Sequence, residues 1–178
     1  MIKKTSLYLL ICLAGSMLSS CFLFGGNDDD PKPVPIPPIE QLPPLTTEGK
    51  GTFGCLVNGE PFVSYYPDAL ADYTVIDYMI LSADSRSPES TIGIPLRDYN
   101  REEGYRELPD SSAFYSIWDS NYPDCDYPFY DFIEGWVNIS DFNAAGEFVS
   151  GTFEFTSVNE RCDTLRVTDG RFDLRLVW

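Results

Sequence analysis

The chain has 178 residues, with 12 Lys and Arg against 28 Asp and Glu, no histidine, and a formal net charge of −16. The missing imidazole excludes Ser-His-Asp and Cys-His catalysis and histidine metal ligation. The acidic balance argues against binding nucleic acid through phosphate neutralisation, and the length allows one ordinary domain with extensions.

The first twenty residues read as a secretory signal peptide. Lys3 and Lys4 form a cationic n-region, and Leu7 to Leu18 an apolar h-region broken only by small residues. Ser19-Ser20 then leads into Cys21. The tetrapeptide Leu18-Ser19-Ser20-Cys21 resembles the lipobox of bacterial lipoproteins. That resemblance implies a diacylglyceryl group on the Cys21 thiol, cleavage before Cys21, and a membrane partner held through the N-terminal lipid. One acyl chain holds a protein only marginally, at about 0.8 kcal/mol per buried CH₂, so the three chains of a mature lipoprotein would hold it stably. An uncleaved membrane anchor is the alternative, since Phe22, Leu23 and Phe24 extend the apolar run. Asp28 to Asp30 follow where a cationic stop would be expected, which favours cleavage.

Residues 21–50 are expected to form the lipidated N-terminus and a tether. Seven prolines fall between Pro31 and Pro44, and proline removes backbone donors and biases its neighbours toward extended conformation. Fully extended, residues 22–50 would reach about 90 Å at ~3.1 Å per residue. The run Asn27-Asp28-Asp29-Asp30 resembles the surface-export signals of Bacteroidota lipoproteins. It also fits a solvated linker charge run repelled by an anionic membrane.

From Gly51 to Trp178 almost every local signal is β. Asn58-Gly59 lies between Phe53–Val57 and Pro61–Tyr66, a strong hairpin signal. Tyr73 to Ser82, apolar on both alternating faces, predicts one central strand covered on both sides. Thr91 to Leu96 predicts a strand that Pro95 places near an edge or an end. Phe132–Phe142 and Phe148–Val158 predict two strands joined by Asn143-Ala144-Ala145-Gly146. At the end of the chain Leu165 and Val167 share one phase, but Phe172, Leu174 and Leu176 take the other. A period-2 pattern flips so only through an inserted residue or a turn, and Asp169-Gly170 is the obvious place. No segment of eleven or more residues has strong helical spacing. The expected fold is all-β: an antiparallel β-sandwich or small β-barrel, with a lipocalin-like barrel as the alternative.

The stretches GTFGCLVNGEPF (51–62), WVNISDF (136–142), VSGTFEF (149–155) and VTDGRFDL (167–174) resemble a set of uncharacterised β-rich lipoproteins of Bacteroidota, grouped as a domain of unknown function. The resemblance implies fold and compartment and no activity. With the signal peptide, it places the chain on the cell envelope of a Gram-negative bacterium, expected at the outer membrane, periplasmic or surface-exposed.

Once Cys12 leaves with the signal peptide and Cys21 bears lipid, Cys55, Cys125 and Cys162 could pair in a compartment that permits disulfides. Cys125 and Cys162 sit in polar loop contexts and form the favoured bridge. Cys55–Cys162 is the alternative, and Cys55 alternates with Phe53 and Val57 as a buried thiol would. Asp124, Asp126 and Asp131 could offer oxygen to a hard cation, but lack EF-hand spacing, so no metal and no cofactor are expected.

Nine aromatic residues fall between Phe114 and Trp136. Alternating aromatics most often build a β core, but exposed Trp and Tyr faces can stack on sugar rings. Trp118, Tyr122, Tyr127 and Tyr130 are the candidate ligand surface. Residues 51–178 hold eight arginines, no lysine and 23 acidic residues, a net −15. Three functions remain open: a non-catalytic binding module for a glycan or envelope partner, a lipocalin-like carrier of an apolar molecule, and a hydrolase using carboxylates alone. The first is favoured, because the absent histidine weighs against an enzyme. Oligomeric state is not legible.

Overall fold

The computed structural model describes residues 35–75, 78–86, 89–117 and 126–178, and Ile36–Trp178 is one compact unit. The expected signal peptide (residues 1–20), Cys21, Trp118, Tyr122 and Cys125 lie outside the described residues.

The fold is all-β. Ten strands run in chain order: β1 (Thr52–Val57), β2 (Glu60–Tyr65), β3 (Ala69–Val75), β4 (Tyr78–Arg86), β5 (Glu89–Arg97), β6 (Gly104–Glu107), β7 (Phe114–Ile117), β8 (Phe132–Asn143), β9 (Phe148–Asn159) and β10 (Asp163–Val177). Short 3₁₀ turns occupy Pro38–Gln41 and Phe129–Asp131. The strands hydrogen-bond in the order β6-β8-β9-β10-β3-β4-β5-β7, while β1 pairs with β10 and β2 with β1. The two ends of that order, β6 and β7, are joined by residues 108–113 alone. At ~3.3–3.6 Å per residue so short a link keeps the outer edges near each other, and the sheet curls into a half-barrel. The Ser64 hydroxyl donates to the Asp84 carbonyl at 2.7 Å, tying β2 to β4 across the curl.

The Asn58-Gly59 hairpin forms as its residues dictate, with φ of 50° and 88° at the two turn positions and Val57 opposite Glu60. The strands β8 and β9 also match expectation, and the Asn143 side chain accepts from the Gly146 N–H at 2.7 Å to close their turn. Pro95 lies past Gly93, the last β5 residue paired with β7, so no ladder on that side needs its missing N–H.

Two expectations are corrected. The stretch Tyr73–Ser82 is not one strand covered on both faces: it divides between β3 and β4, which pair antiparallel with Val75 opposite Tyr78. Only one face of β4 is fully buried, through Met79, Leu81 and Ala83. The sheet is also not wholly antiparallel, because β10 meets β3 in parallel at Leu176↔Ala71 and Val177↔Asp72.

The strand β10 holds the arrangement together, with β9 along one side and first β1, then β3, along the other. Its phase change is real. Val167 opposes Phe155 but Gly170 opposes Phe153, so one extra residue of β10 is taken up there, and Asp169 has φ of 54°. At Gly170 any side chain would run into the Phe153 carbonyl. The bulge lets Leu165 and Val167 before it, and Phe172, Leu174 and Leu176 after it, all be buried. The interior is filled with packed rings: Phe53 lies 5.0 Å from Phe153 and 6.0 Å from Phe62, and Phe153 lies 6.3 Å from Phe172, centroid to centroid.

The same phase turns Asp173 toward the outer face, where the chain before β1 covers it. Leu42 and Pro43 are buried, and Pro43 packs on Gly54 of β1. The Asp173 carboxylate accepts from the Thr46 hydroxyl (2.6 Å) and from the N–H groups of Gly49 (2.8 Å), Glu48 (3.1 Å) and Lys50 (3.1 Å). The packed unit therefore takes in residues 42–50 as a strap across the sheet. Burial disfavours the Asp173 charge, yet the Thr46 hydroxyl and the Lys50, Glu48 and Gly49 N–H groups outweigh it and hold the carboxyl below its ordinary pKa.

Asp173→Ala strands those donors and is expected to lower stability by about 2–4 kcal/mol. A carboxyl with a depressed folded pKa stabilises above its unfolded pKa, and that contribution is lost as pH falls through the folded value. Urea denaturation of both proteins should therefore show the full difference at neutral pH and a shrinking one below the ordinary carboxylate range. A difference independent of pH would contradict the account of Asp173.

Candidate functional site

The candidate residues on the sequence separate once placed. Tyr127 is a correction: it is 4 % exposed, pairs through its backbone with Tyr115 in both directions (2.9 and 2.7 Å), and donates its hydroxyl to the Cys162 carbonyl at 2.6 Å. Burial pushes its hydroxyl pKa up, reinforced by the Asp163 and Asp131 carboxylates. It fastens the chain after 125 to the β9–β10 turn and offers no face to a ligand. Tyr130 is 81 % exposed, beside exposed Ile133 and Val158. Trp118 and Tyr122 lie outside the described residues.

Cys162 is disulfide-bonded, whereas Cys55 is a free thiol deep in the core, its pKa pushed up by burial. A Cys55–Cys162 bridge is thereby excluded. Cys125 lies outside the described residues. Of the carboxylates considered for a cation, Asp126 accepts from the Ser116 hydroxyl (2.9 Å) and the Ile117 N–H (3.0 Å), and Asp131 from the Asn159 side chain (2.9 Å), while Asp124 lies outside the described residues.

A groove of about 400 Å³ opens on the outer face of β6, β8, β9 and β10. Its floor is aromatic. Tyr105 of β6 stacks on Trp136 of β8 with ring centroids 5.8 Å apart and planes 29° from parallel, and Tyr105 is 61 % exposed. The register places the remaining lining. Trp136 sits between Glu107 of β6 and Glu154 of β9, its direct partners on either side. One row along, Glu134 pairs with Thr156 and Thr156 with Arg166 of β10. In the other direction, Tyr105 pairs with Asn138, Asn138 with Thr152, and Thr152 with Arg171. Directly opposed residues have Cβ atoms ~4.5–5.5 Å apart, so this is a contiguous polar grid around one indole.

Two irregularities shape the groove. Between Phe132 and Glu134 the β8 register slips by one residue against β9, so Ile133 and Glu134 are both exposed in succession. The β10 bulge puts Thr168 and Asp169 at the other border. An adjoining hollow of about 250 Å³ shares Trp136 and Glu154 and adds Thr152, Arg171 and Leu45 of the strap.

The arrangement can hold a flat, partly apolar molecule against the rings and offer carboxylates to its donors; it is open to solvent. Trp136 stood among the sequence's aromatic cluster without distinction, and Tyr105 was missed. Its strand has four residues, and its pairing with β8 is set by tertiary contacts that no local pattern encodes. The best available signal was the alternation Tyr105-Arg106-Glu107, exposed at both ends. Comparison with protein-family models, with curated proteins and with solved structures found no match.

Proposed function

We propose that this protein is a non-catalytic glycan-binding module, anchored by lipid on Cys21 to the envelope of a Gram-negative bacterium and held off the membrane by its proline-rich segment. The single observation that supports it is the solvent-facing Tyr105–Trp136 stack in a groove rimmed by carboxylates. Sugar rings present apolar C–H faces that pack on aromatic rings and hydroxyls that donate to carboxylates. A carrier of apolar molecules would need an unfilled interior, and the phenylalanine packing inside this one argues against that role. Catalysis gains most from a desolvated site, and this groove is open. The N-terminal features Lys3-Lys4, Leu7–Leu18 and Leu18-Ser19-Ser20-Cys21 support the anchor. A chain beginning at Cys21 has 10 basic and 28 acidic residues, a net −18, which favours standing off an anionic surface.

Titration of the purified protein against a panel of oligosaccharides should give saturable binding that falls at least ~10-fold in Trp136→Ala, the size expected for losing one stacked aromatic anchor. The variant should melt within a few degrees of wild type, since Trp136 lies on the outer face. A panel without binders, or binding indifferent to Trp136→Ala, would contradict the reading. Metabolic labelling with a fatty acid tests the anchor: label should be lost in Cys21→Ala, and wild-type labelling of that variant would sink it.

A further inference from the structure

The charges of the groove narrow the ligand. Trp136 is bracketed by Glu107 and Glu154 on the neighbouring strands, and Glu134 lies two residues before it on β8. All three carboxylates line the groove with the indole. Among the described residues none of the three has an ion-pair partner. Arg166 is the one basic residue lining the groove, so three acids against one base leave a local charge of −2.

Indole is the best side-chain π-face for a cation, and an ammonium resting on it can at the same time be reached by a neighbouring carboxylate. An acidic sugar would instead bring its own carboxylate into a negative field, on a domain that is itself strongly acidic. Resting on the glycan reading above, we propose that the groove selects sugars bearing a protonated amine, so that its ligands are amino sugars rather than neutral or acidic ones. The indole takes the ring face and the ammonium together. The three glutamates supply the charge, and Glu107 and Glu134, both exposed on the rim, set the preference.

The test is isothermal titration calorimetry of the full protein with three tetramers: glucosamine, N-acetylglucosamine and galacturonic acid. It is run at about pH 6, where an alkyl amine of the α-amino class is protonated. The glucosamine tetramer should bind at least ~10-fold more tightly than its acetylated counterpart, and galacturonate most weakly. The margin should shrink as salt is raised, as expected for exposed charges. In Glu107→Gln/Glu134→Gln, two exposed positions whose change leaves the core untouched, the margin should fall below ~3-fold, because an ammonium loses a charged partner where a neutral hydroxyl keeps an amide acceptor. Equal or tighter binding of the acetylated tetramer, or of galacturonate, overturns the amine preference and leaves the glycan reading standing. Binding of none of the three at millimolar concentration, with no other sugar in a wider panel bound, overturns both.

Discussion

The one-residue bulge in β10 is the constraint on which the rest of the structure depends. This strand pairs with β9, β1 and β3, so its side-chain phase is imposed on three neighbours at once. A strand of uniform phase would bury Leu165 and Val167 and expose Phe172, Leu174 and Leu176, or the reverse. Taking up one residue near Asp169 lets both sets face inward, where Phe172 meets Phe153. Each such side chain, fully buried, contributes about 1.5–3 kcal/mol, so the phase change decides whether the last third of the sheet can pack.

What faces outward follows from the same event. After the bulge, Arg171, Asp173 and Arg175 alternate on the outer face. Arg171 donates to the Pro43 carbonyl at 3.4 Å, Asp173 gathers residues 46–50, and the Arg175 guanidinium lies 5.0 Å from the Tyr66 ring centre. The row thus fixes the strap that leads back to the proline-rich segment, and the strap's Leu45 lines the hollow beside Trp136. The chain that would lead to a membrane and the surface proposed to hold a ligand are both organised around β10. A pull on the N-terminal segment would meet the packing of Leu42 and Pro43 first, then the hydrogen bonds to the buried Asp173 carboxylate, and only then the sheet.

Features written in adjacent residues were legible in the sequence. The Asn58-Gly59 turn, the β8–β9 pair and the phase reversal at Asp169-Gly170 each need only a local pattern of turn residues or alternation. The single strand over Tyr73–Ser82 failed because an apolar run cannot distinguish one long strand from two that pair with each other. The strap reads as tether in the sequence because proline content speaks for extension. What docks it is Asp173, 127 positions from Thr46 along the chain. The site was the least legible part. Tyr127 looked like a ligand residue by its neighbours, yet its hydroxyl reaches the Cys162 carbonyl, a partner no spacing reveals. Tyr105 and Trp136 become a site only through the pairing of β6 with β8.

On the proposed function, the outer face of β6, β8, β9 and β10, centred on Trp136, is where a ligand meets this protein. Chemical-shift mapping by heteronuclear NMR, with a bound oligosaccharide added stepwise, tests it most directly. The largest changes should fall on the Trp136 indole N–H and on the amides of Tyr105, Glu107, Glu154, Thr156 and Arg166, with β2 and Tyr127 unmoved. An unmoved Trp136 indole, with changes gathered instead around Tyr130 or on core residues such as Phe53 and Leu81, would contradict the account.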